Sequence, residues 1–202
     1  MVLLRLQGHL LRVKTLDTRD YSLIAIFSAL MAITTAWAIP LPFGGLMHFG
    51  NVVMWTASIL FGGLIGGLAG GIGGMIVDIL EAPIWAPFTP FCKLASGISC
   101  GLVAGESTKL DNMKIFRIVA ATIIGSAVNT LAYAPVYYFL LGPSSMWAWL
   151  LLFLSPIPTR IISYIATILL SIGVLRIYPG ISSYRRSVRQ RIESYVKAGE
   201  GK

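Results

Sequence analysis

The sequence has 202 residues, of which 56% are apolar and only 12% are charged. Soluble globular domains carry roughly a quarter of their residues as Asp, Glu, Lys and Arg, so this composition excludes an ordinary soluble domain and predicts a membrane protein. The formal net charge is +8, but the basic residues flank apolar runs and form no continuous basic stripe. Nucleic acid is therefore excluded as a partner.

Six apolar runs predict an all-α, polytopic membrane protein with six transmembrane helices. A spanning helix needs about 20 predominantly apolar residues. The second run is too short to cross upright and continues through Gly62 and Gly63 into the third, so these two should form a short, glycine-rich hairpin packed closely against its neighbours. The six runs are Tyr21 to Ile39, Asn51 to Phe61, Leu64 to Leu80, Thr89 to Gly105, Phe116 to Leu141 and Pro158 to Leu175.

The distribution of Lys and Arg predicts the orientation of these helices. Basic residues cluster before the first run, between the fourth and fifth runs, and after the sixth. The connections at 40–50, 81–88 and 142–146 contain neither Lys nor Arg. Because short cytoplasmic loops carry an excess of Lys and Arg, we expect a multi-pass protein of the cell membrane with both termini in the cytoplasm.

The chain divides into three parts on this basis. Residues 1–20 are predicted to form a cytoplasmic amphipathic segment, residues 21–176 the six-helix transmembrane domain, and residues 177–202 a basic cytoplasmic tail. Apolar residues recur at helical spacing opposite basic residues in both end segments, which is the pattern of helices that lie on anionic lipid. Membrane lipid is therefore the expected partner of both ends.

Four alanines place small side chains on one face of the first helix, because they recur at i, i+4, i+7 and i+11. In lipid, such a face allows another helix to approach closely. The spacing alone favours packing within the chain and contact with another subunit equally. The four residues are Ala25, Ala29, Ala32 and Ala36.

The glycines between Gly62 and Gly74 are interpreted as a helix-packing surface. Several of them form overlapping Gly-x-x-x-Gly pairs, which let helix backbones approach one another in lipid. A phosphate-binding loop is excluded, because no Lys-Ser or Lys-Thr pair follows and no strand precedes the segment. The chain therefore contains no ATPase motif.

Four charged residues lie within or at the ends of apolar runs, in the half of the bundle predicted to face outward. A charge at the bilayer centre costs about 2.5 to 3.5 kcal/mol, so such residues tend to face a cavity or a partner. Ligand contact and pairing between acidic and basic members are both open on sequence grounds. The residues are Asp78 and Glu81 at the end of the third helix, Lys93 in the fourth and Arg160 in the sixth.

Aromatic and amide side chains are predicted at the same level and complete a candidate substrate site. An aromatic surface edged with hydrogen-bond donors and acceptors suits a flat polar heterocycle. An interfacial aromatic belt is the alternative for the tryptophan, and interhelical hydrogen bonding is the alternative for the amide on the fifth helix. The residues are His48, Asn51, Trp85, Asn129, Tyr133, Tyr137 and Tyr164.

The sequence predicts no enzyme, no cofactor and no metal site. It lacks a Gly-x-Ser-x-Gly elbow and a His-Glu-x-x-His pair. Its only histidines are His9 and His48, and no metal-ligand spacing surrounds the latter. The chain itself is therefore not expected to be an enzyme.

Four stretches carry a family resemblance when they are taken together. They are Ala25-Ile-Phe-Ser-Ala29, His48-Phe-Gly-Asn-Val-Val, the glycine-rich segment from Ile59 to Asp78, and Trp85-Ala-Pro-Phe-Thr89 with Lys93. They resemble the substrate-binding S components of energy-coupling factor (ECF) transporters, and within them the riboflavin-transporter-like group. The resemblance covers about Ser22 to Gly105 and elsewhere extends only to helix count and charge layout.

This resemblance implies a subunit that captures a vitamin at its outer face. It also implies two kinds of partner, a transmembrane coupling (T) subunit and two cytoplasmic ATPases, with Ala25 and Ala29 in contact with the coupling subunit. Asn51 stands where the resemblance leads us to expect an acidic residue, so the substrate's identity does not follow from it.

We therefore expect the substrate-capture subunit of an ECF-type ABC importer for a water-soluble vitamin. Riboflavin is the first choice, and a pyrimidine or pyridine vitamin or precursor comes next. A solitary secondary transporter or channel for a small polar molecule is the alternative, although the halves of the sequence show no convincing inverted repeat. A nontransporting membrane scaffold is the second alternative.

Overall fold

The computed structural model describes residues 16–40, 46–105, 110–142 and 157–200. Within these ranges the chain forms seven helices and one antiparallel pair of two-residue strands. The helices are α1 (Thr18–Ala36), α2 (Gly50–Phe61), α3 (Gly63–Glu81), α4 (Thr89–Ala104), α5 (Asn112–Leu141), α6 (Ile157–Ile177) and α7 (Ile181–Glu200); the strands are β1 (Ile39–Pro40) and β2 (Leu46–Met47).

A helix occupies each of the six predicted runs, with ends that shift by a few residues. Helix α1 begins at Thr18 because the Asp20 carboxylate accepts a hydrogen bond of 2.7 Å from the Asp17 backbone N–H, which satisfies a free donor at the helix start. Helix α5 begins at Asn112 because Asp111 caps it, accepting a hydrogen bond of 2.7 Å from the Lys114 backbone N–H. Most of the predicted N-terminal segment and the predicted connection at 143–146 lie outside the described residues.

The composition and exposure of the helices are those of a multi-pass membrane protein. Among the described helices, α3, α5 and α6 are long and apolar enough to cross a membrane. Large apolar side chains point outward: Leu102 is 72% exposed and Phe139 is 83% exposed. Outward apolar faces are expected when lipid tails replace water around a bundle. Six crossings and a cytoplasmic position for both termini stay predictions.

The predicted hairpin of α2 and α3 is present and closely packed. Gly62 joins the two helices with φ +115°, a backbone conformation that favours glycine. Most of α2 is buried. A Cβ atom on Gly66 would collide with the Ser58 backbone, and one on Gly73 would collide with the Ser28 carbonyl on α1. The glycines of α3 therefore serve close helix packing, as predicted.

Helix α4 lies against another glycine face of α3. A Cβ atom on Gly97 would overlap the backbone of Gly67, and one on Gly101 would overlap the backbone of Gly63. The two helices thus touch backbone to backbone along about one turn. This close contact fixes the position of α4, which carries Thr89, Lys93 and Ser96.

The C-terminal tail forms α7, whose first half packs on the bundle. Val188 is 3% exposed and belongs to a cluster with Ile24 and Ile65. The buried Arg185 donates a hydrogen bond of 2.6 Å to the Ile59 carbonyl and another to the Gly101 carbonyl. The sequence predicted that this face of α7 contacts lipid, but in the structure it contacts protein. The physical reason is that the free carbonyls at the ends of α2 and α4 accept hydrogen bonds from a buried guanidinium.

Charged groups at this end of the bundle, hereafter the α7 end, are extensively paired. Asp20 is fully buried and accepts hydrogen bonds from the Tyr184 hydroxyl and from Arg191, the latter at 2.9 Å. Arg191 also pairs with Asp17. The Lys114 ammonium donates to the carbonyl of Ala104, and also to that of the next residue, at 3.0 Å each. The opposite end of the bundle is called the Trp85 end below.

Candidate functional site

Three polar residues of α4 form a buried line at the Trp85 end, here called the polar seam: Thr89, Lys93 and Ser96. Their exposed fractions are 1%, 7% and 0%. They share one face of α4 because their spacing is i, i+4 and i+7. Helix α4 begins at Thr89 with a proline directly after it, and proline is favoured in the first turn of a helix.

Thr89 joins three helices. Its hydroxyl donates a hydrogen bond to the Asp78 carboxylate of α3, and its Oγ1 lies 2.8 Å from the hydroxyl oxygen of Tyr133 on α5. A threonine hydroxyl has a single proton, so Tyr133 is the donor in the second contact. The resulting chain runs from Tyr133 through Thr89 to Asp78.

Lys93 is buried with few partners. Its Nζ donates a hydrogen bond of 2.6 Å to Asn51 Oδ1 on α2 and lies 5.6 Å from the centre of the Tyr133 ring. An ammonium group carries three N–H donors. Within the described part of the chain, one donor has a hydrogen-bond acceptor and the ring offers a cation–π contact. Lys93 therefore retains capacity to bind an acceptor from outside the chain.

An aromatic wall stands beside Lys93 and consists of Trp85, Tyr133 and Tyr137. The Trp85 ring centre lies 4.6 Å from that of Tyr137 and 6.3 Å from that of Tyr133. The two tyrosine rings are 6.4 Å apart. These separations lie within or near the usual range for interacting aromatic rings. The wall provides an apolar surface edged by hydroxyl groups.

Two buried polar atoms of candidate site residues lack hydrogen-bond partners among the described residues, Asn129 Oδ1 and His48 Nδ1. Buried polar atoms are normally hydrogen-bonded, so each exception requires an explanation. Asn129 lies one turn before Tyr133 on the same face of α5. Burial, with a smaller effect from Lys93, lowers the pKa of His48 to about 4, so its ring is neutral at pH 7.

The acidic residues occupy different positions from one another. Asp78 is half-buried and bound to Thr89, whereas Glu81 is exposed at the end of α3. The hydrogen bonds of Asp78 and Lys93 thus go to Thr89 and Asn51, although the Asp78 charge also acts on Lys93. No group of three His, Cys, Asp or Glu residues in the described ranges is arranged to hold a metal ion.

Arg160 and Tyr164 of α6 lie at two depths. Arg160 is half-buried, and its charge acts on Lys93 and Tyr137. Tyr164 donates a hydrogen bond of 2.7 Å to Ser126 Oγ, and its ring centre lies 6.0 Å from that of Trp55. It therefore contacts the deeper part of the bundle and not the aromatic wall.

Sequence reasoning missed Thr89, Ser96 and Trp55 as parts of this network. Ser96 accepts a hydrogen bond of 3.0 Å from Trp55 Nε1 and donates one of 2.7 Å to the Gly125 carbonyl. The recurrence of Thr89, Lys93 and Ser96 on one helical face of an apolar run was the available signal. That spacing places polar groups against neighbouring helices, where they need partners.

The four alanines of α1 lie largely on the outside of the bundle. Ala25, Ala29 and Ala36 are exposed, and Ala32 is half-buried. No large side chain of α1 projects from this strip, since its members follow the helical repeat. The strip leaves a shallow surface on which a second helix can pack closely.

These features define an all-helical membrane protein with a polar, incompletely hydrogen-bonded site at one end of the bundle. The family model for the S component of the ECF-type riboflavin transporter matches residues 15–179. The chain therefore belongs to this family, whose members are substrate-binding transporter subunits and not enzymes.

Comparison with solved structures gives the same fold. The chain is similar to the S component of a bacterial ECF transporter, with a TM-score of 0.53 and 22% sequence identity, over 78% of this chain and 94% of that chain. At this identity the likeness bears on the fold alone. No curated protein matches the sequence.

Proposed function

We propose that this chain captures riboflavin for an ECF-type importer. The observation that carries the proposal is the juxtaposition of unused donors on Lys93 and an unpartnered acceptor on Asn129 with the Trp85 aromatic wall. A flavin ring is flat, with carbonyl acceptors and an imide N–H donor, and therefore matches such a surface. The family match supports the same substrate.

The proposed site comprises Asn51, Asp78, Trp85, Lys93, Asn129 and Tyr133 at its centre. Arg160 acts on it electrostatically, and the remaining members are His48, Glu81, Tyr137 and Tyr164. We assign the first group to direct ligand contact because its members already touch one another or Thr89, or, for Asn129, have a buried oxygen without a partner among the described residues. Tyr164 is placed in a supporting position because its hydroxyl is already bound to Ser126.

Purification followed by extraction and mass spectrometry of any bound small molecule tests the proposal. A yellow preparation with flavin absorbance is expected, and calorimetric titration of the stripped protein with riboflavin should show saturable binding. Thiamine and pyridoxine serve as comparison ligands, since they represent the pyrimidine and pyridine vitamins. Binding of one of these without riboflavin would refute the flavin assignment, and failure to bind any vitamin would favour the scaffold alternative.

The proposed partners are a transmembrane coupling subunit and two ATPase subunits. The exposure of Ala25, Ala29 and Ala36 supports a contact between subunits at this face. Vitamin uptake by the chain alone, in a host that lacks those subunits, would instead identify a solitary transporter.

Ala29→Trp is expected to fill the alanine face and abolish uptake while leaving riboflavin binding by the isolated subunit unchanged. Ala127→Trp, at an exposed position of α5, is the matched control and should transport normally. Uptake and binding are measured on the same preparations at equal expression. Normal uptake by the Ala29 variant would contradict the assigned contact.

The proposed orientation places the Trp85 end outside the cell and both termini in the cytoplasm, supported by the charge of the connections. A cysteine introduced at Pro83 should react with a membrane-impermeant reagent in intact cells, and one at Asn112 should not. Both positions are exposed in the fold. The reverse labelling pattern would invert the orientation and place the site on the inner side.

A further inference from the structure

A lateral groove at the α7 end has no role in the proposed capture of riboflavin. It has a volume of about 680 Å³ and lies between the first turns of α1 and the connection from α6 to α7. Its floor is apolar and includes Leu23, Ile26, Phe61 and Ile177. Ile26 is 57% exposed and Ile177 is 70% exposed, so the groove opens sideways from the bundle.

The polar rim of this groove carries a positive charge. Arg19 lines the groove and is exposed, and no hydrogen bond or ion pair joins it to another residue in the described ranges. The carboxylates that flank it in sequence, Asp17 and Asp20, are both bound to Arg191. Arg19 is therefore available to an external anion.

The position of the groove matches the boundary between lipid tails and headgroups. Helix α1 begins and helix α6 ends there, so the apolar bundle gives way to charged residues at this level. Tyr178 and Tyr184 line the same groove, and tyrosine is enriched at membrane interfaces. This placement holds whichever side of the membrane the α7 end faces.

The groove and the alanine strip occupy different faces of α1. Arg19, Leu23 and Ile26 follow helical spacing along the groove, and their face is rotated by about 100° from that of Ala25 and Ala29, whereas Ser22 lies between the two faces. A coupling helix seated on the alanines therefore does not by itself fill the groove. An apolar channel beside a cation that has no partner in the described ranges is the pattern that binds an anionic amphiphile.

We propose that this groove binds an anionic phospholipid. One acyl chain lies along Leu23, Ile26 and Ile177, and the phosphate contacts the Arg19 guanidinium, which can bind two phosphate oxygens at once. The assignment is independent of the vitamin site, because none of the groove residues contributes to the aromatic wall or the polar seam.

Native mass spectrometry of the purified full chain with equal amounts of phosphatidylglycerol and phosphatidylcholine, made distinguishable by acyl-chain mass, tests the assignment. Phosphatidylglycerol should occupy the protein with about a fivefold preference, as expected from one basic side chain near a charged lipid surface. Arg19→Gln should remove the preference, and Arg19→Lys should retain most of it. Arg117→Gln, at an exposed position outside the groove, is the control and should bind as the parent does.

A second variant tests the apolar channel separately from the charge. Ser22 is exposed and lines the groove, so Ser22→Trp should obstruct it and reduce occupancy by both lipids, with the helical circular dichroism spectrum unchanged. Equal binding of the two lipids by the parent, or a preserved preference in Arg19→Gln, would overturn the proposal.

Two other occupants produce distinct results. Lipid binding that is detected only after removal of residues 1–15 would assign the groove to the N-terminal segment. A thiol probe at Ser22 that is shielded by the coupling subunit and not by phosphatidylglycerol would assign it to a protein interface. Either result contradicts a lipid site.

Discussion

Buried cations have different kinds of hydrogen-bond partner at the two ends of the bundle. At the α7 end, Arg185 and Lys114 each donate to two backbone carbonyls at helix ends, where such carbonyls otherwise lack partners. At the Trp85 end, Lys93 donates to the single side-chain oxygen of Asn51 and faces an aromatic ring. A cation with backbone partners stabilises the fold, whereas a cation with spare donors can bind a ligand.

A similar contrast holds between one buried acceptor at each end. Asp20 at the α7 end is fully buried and accepts from both Tyr184 and Arg191. Asn129 near the Trp85 end has a buried oxygen without a partner in the described part of the chain. An unpaired buried polar atom costs about 1 to 3 kcal/mol of stability. A ligand that donates a hydrogen bond to Asn129 would therefore offset part of this cost.

The largest expected effect is on stability and comes from Arg185→Ala. Loss of two charge-assisted hydrogen bonds to Ile59 and Gly101, each contributing about 1.5 to 3 kcal/mol, should lower the free energy of unfolding by about 3 kcal/mol or more. Riboflavin affinity of the folded fraction should not change. Arg186→Ala, at the exposed neighbouring position, should stay within about 0.5 kcal/mol of the parent. Equal melting temperatures for the two variants would contradict the proposed role of Arg185 in binding these carbonyls.

A pair of lysine substitutions separates the two ends directly. Lys93→Met should weaken riboflavin binding by about tenfold to a hundredfold, the equivalent of one hydrogen bond to a charged group, with little change in the melting temperature of the ligand-free protein. Lys114→Met should show the opposite pattern, with lower stability and unchanged affinity. Calorimetry and thermal melting of both variants provide the readout. A large stability loss in Lys93→Met would show that Lys93 is chiefly a structural residue.

A smaller loss of affinity is expected for Asn129→Ala. Removal of the amide leaves one polar atom of the ligand unsatisfied, which corresponds to about fivefold weaker binding or more. Thr130→Ala is the matched control, since the Thr130 hydroxyl is already bound to the Ser126 carbonyl of the same helix. Equal riboflavin affinity for both variants would remove Asn129 from the site.

The last expected effect is a pH dependence caused by His48. Its pKa is lowered to about 4 by burial and by Lys93, compared with about 6.5 in an unfolded chain. The folded state therefore disfavours protonation, and stability is lost as the pH falls through about 6.5, reaching roughly 2 kcal/mol at pH 5. Thermal melts at pH 7.5 and pH 5 should show this loss in the parent and a smaller one in His48→Gln. An identical pH response in the two proteins would contradict it.

Local patterns in the sequence were sufficient for the helices and for part of the site. The period of the apolar runs located α1 to α6, and the i, i+4, i+8 spacing placed Asn129, Tyr133 and Tyr137 on one face of α5. Charge inside an apolar run identified Lys93. These properties depend on residues close together in the chain.

Long-range pairing could not be derived in the same way. Arg185 binds the carbonyls of Ile59 and Gly101, which are 126 and 84 residues away, and every helix end offers such acceptors. An amphipathic pattern in α7 is equally suited to lipid and to protein. The contact of Tyr164 with Ser126 also depends on how α6 packs against α5. The spacing of residues within α6 does not specify that packing.

The backbone contact between α3 and α4 restricts how this protein can change shape. Where Gly97 and Gly101 face Gly67 and Gly63, no side chain separates the two backbones, so the helices can slide there only by losing that contact. We therefore expect any rearrangement around a ligand to involve the 83–88 turn and α5. Pro135 lies within α5 between Tyr133 and Tyr137, where the missing N–H weakens the helix and permits a bend.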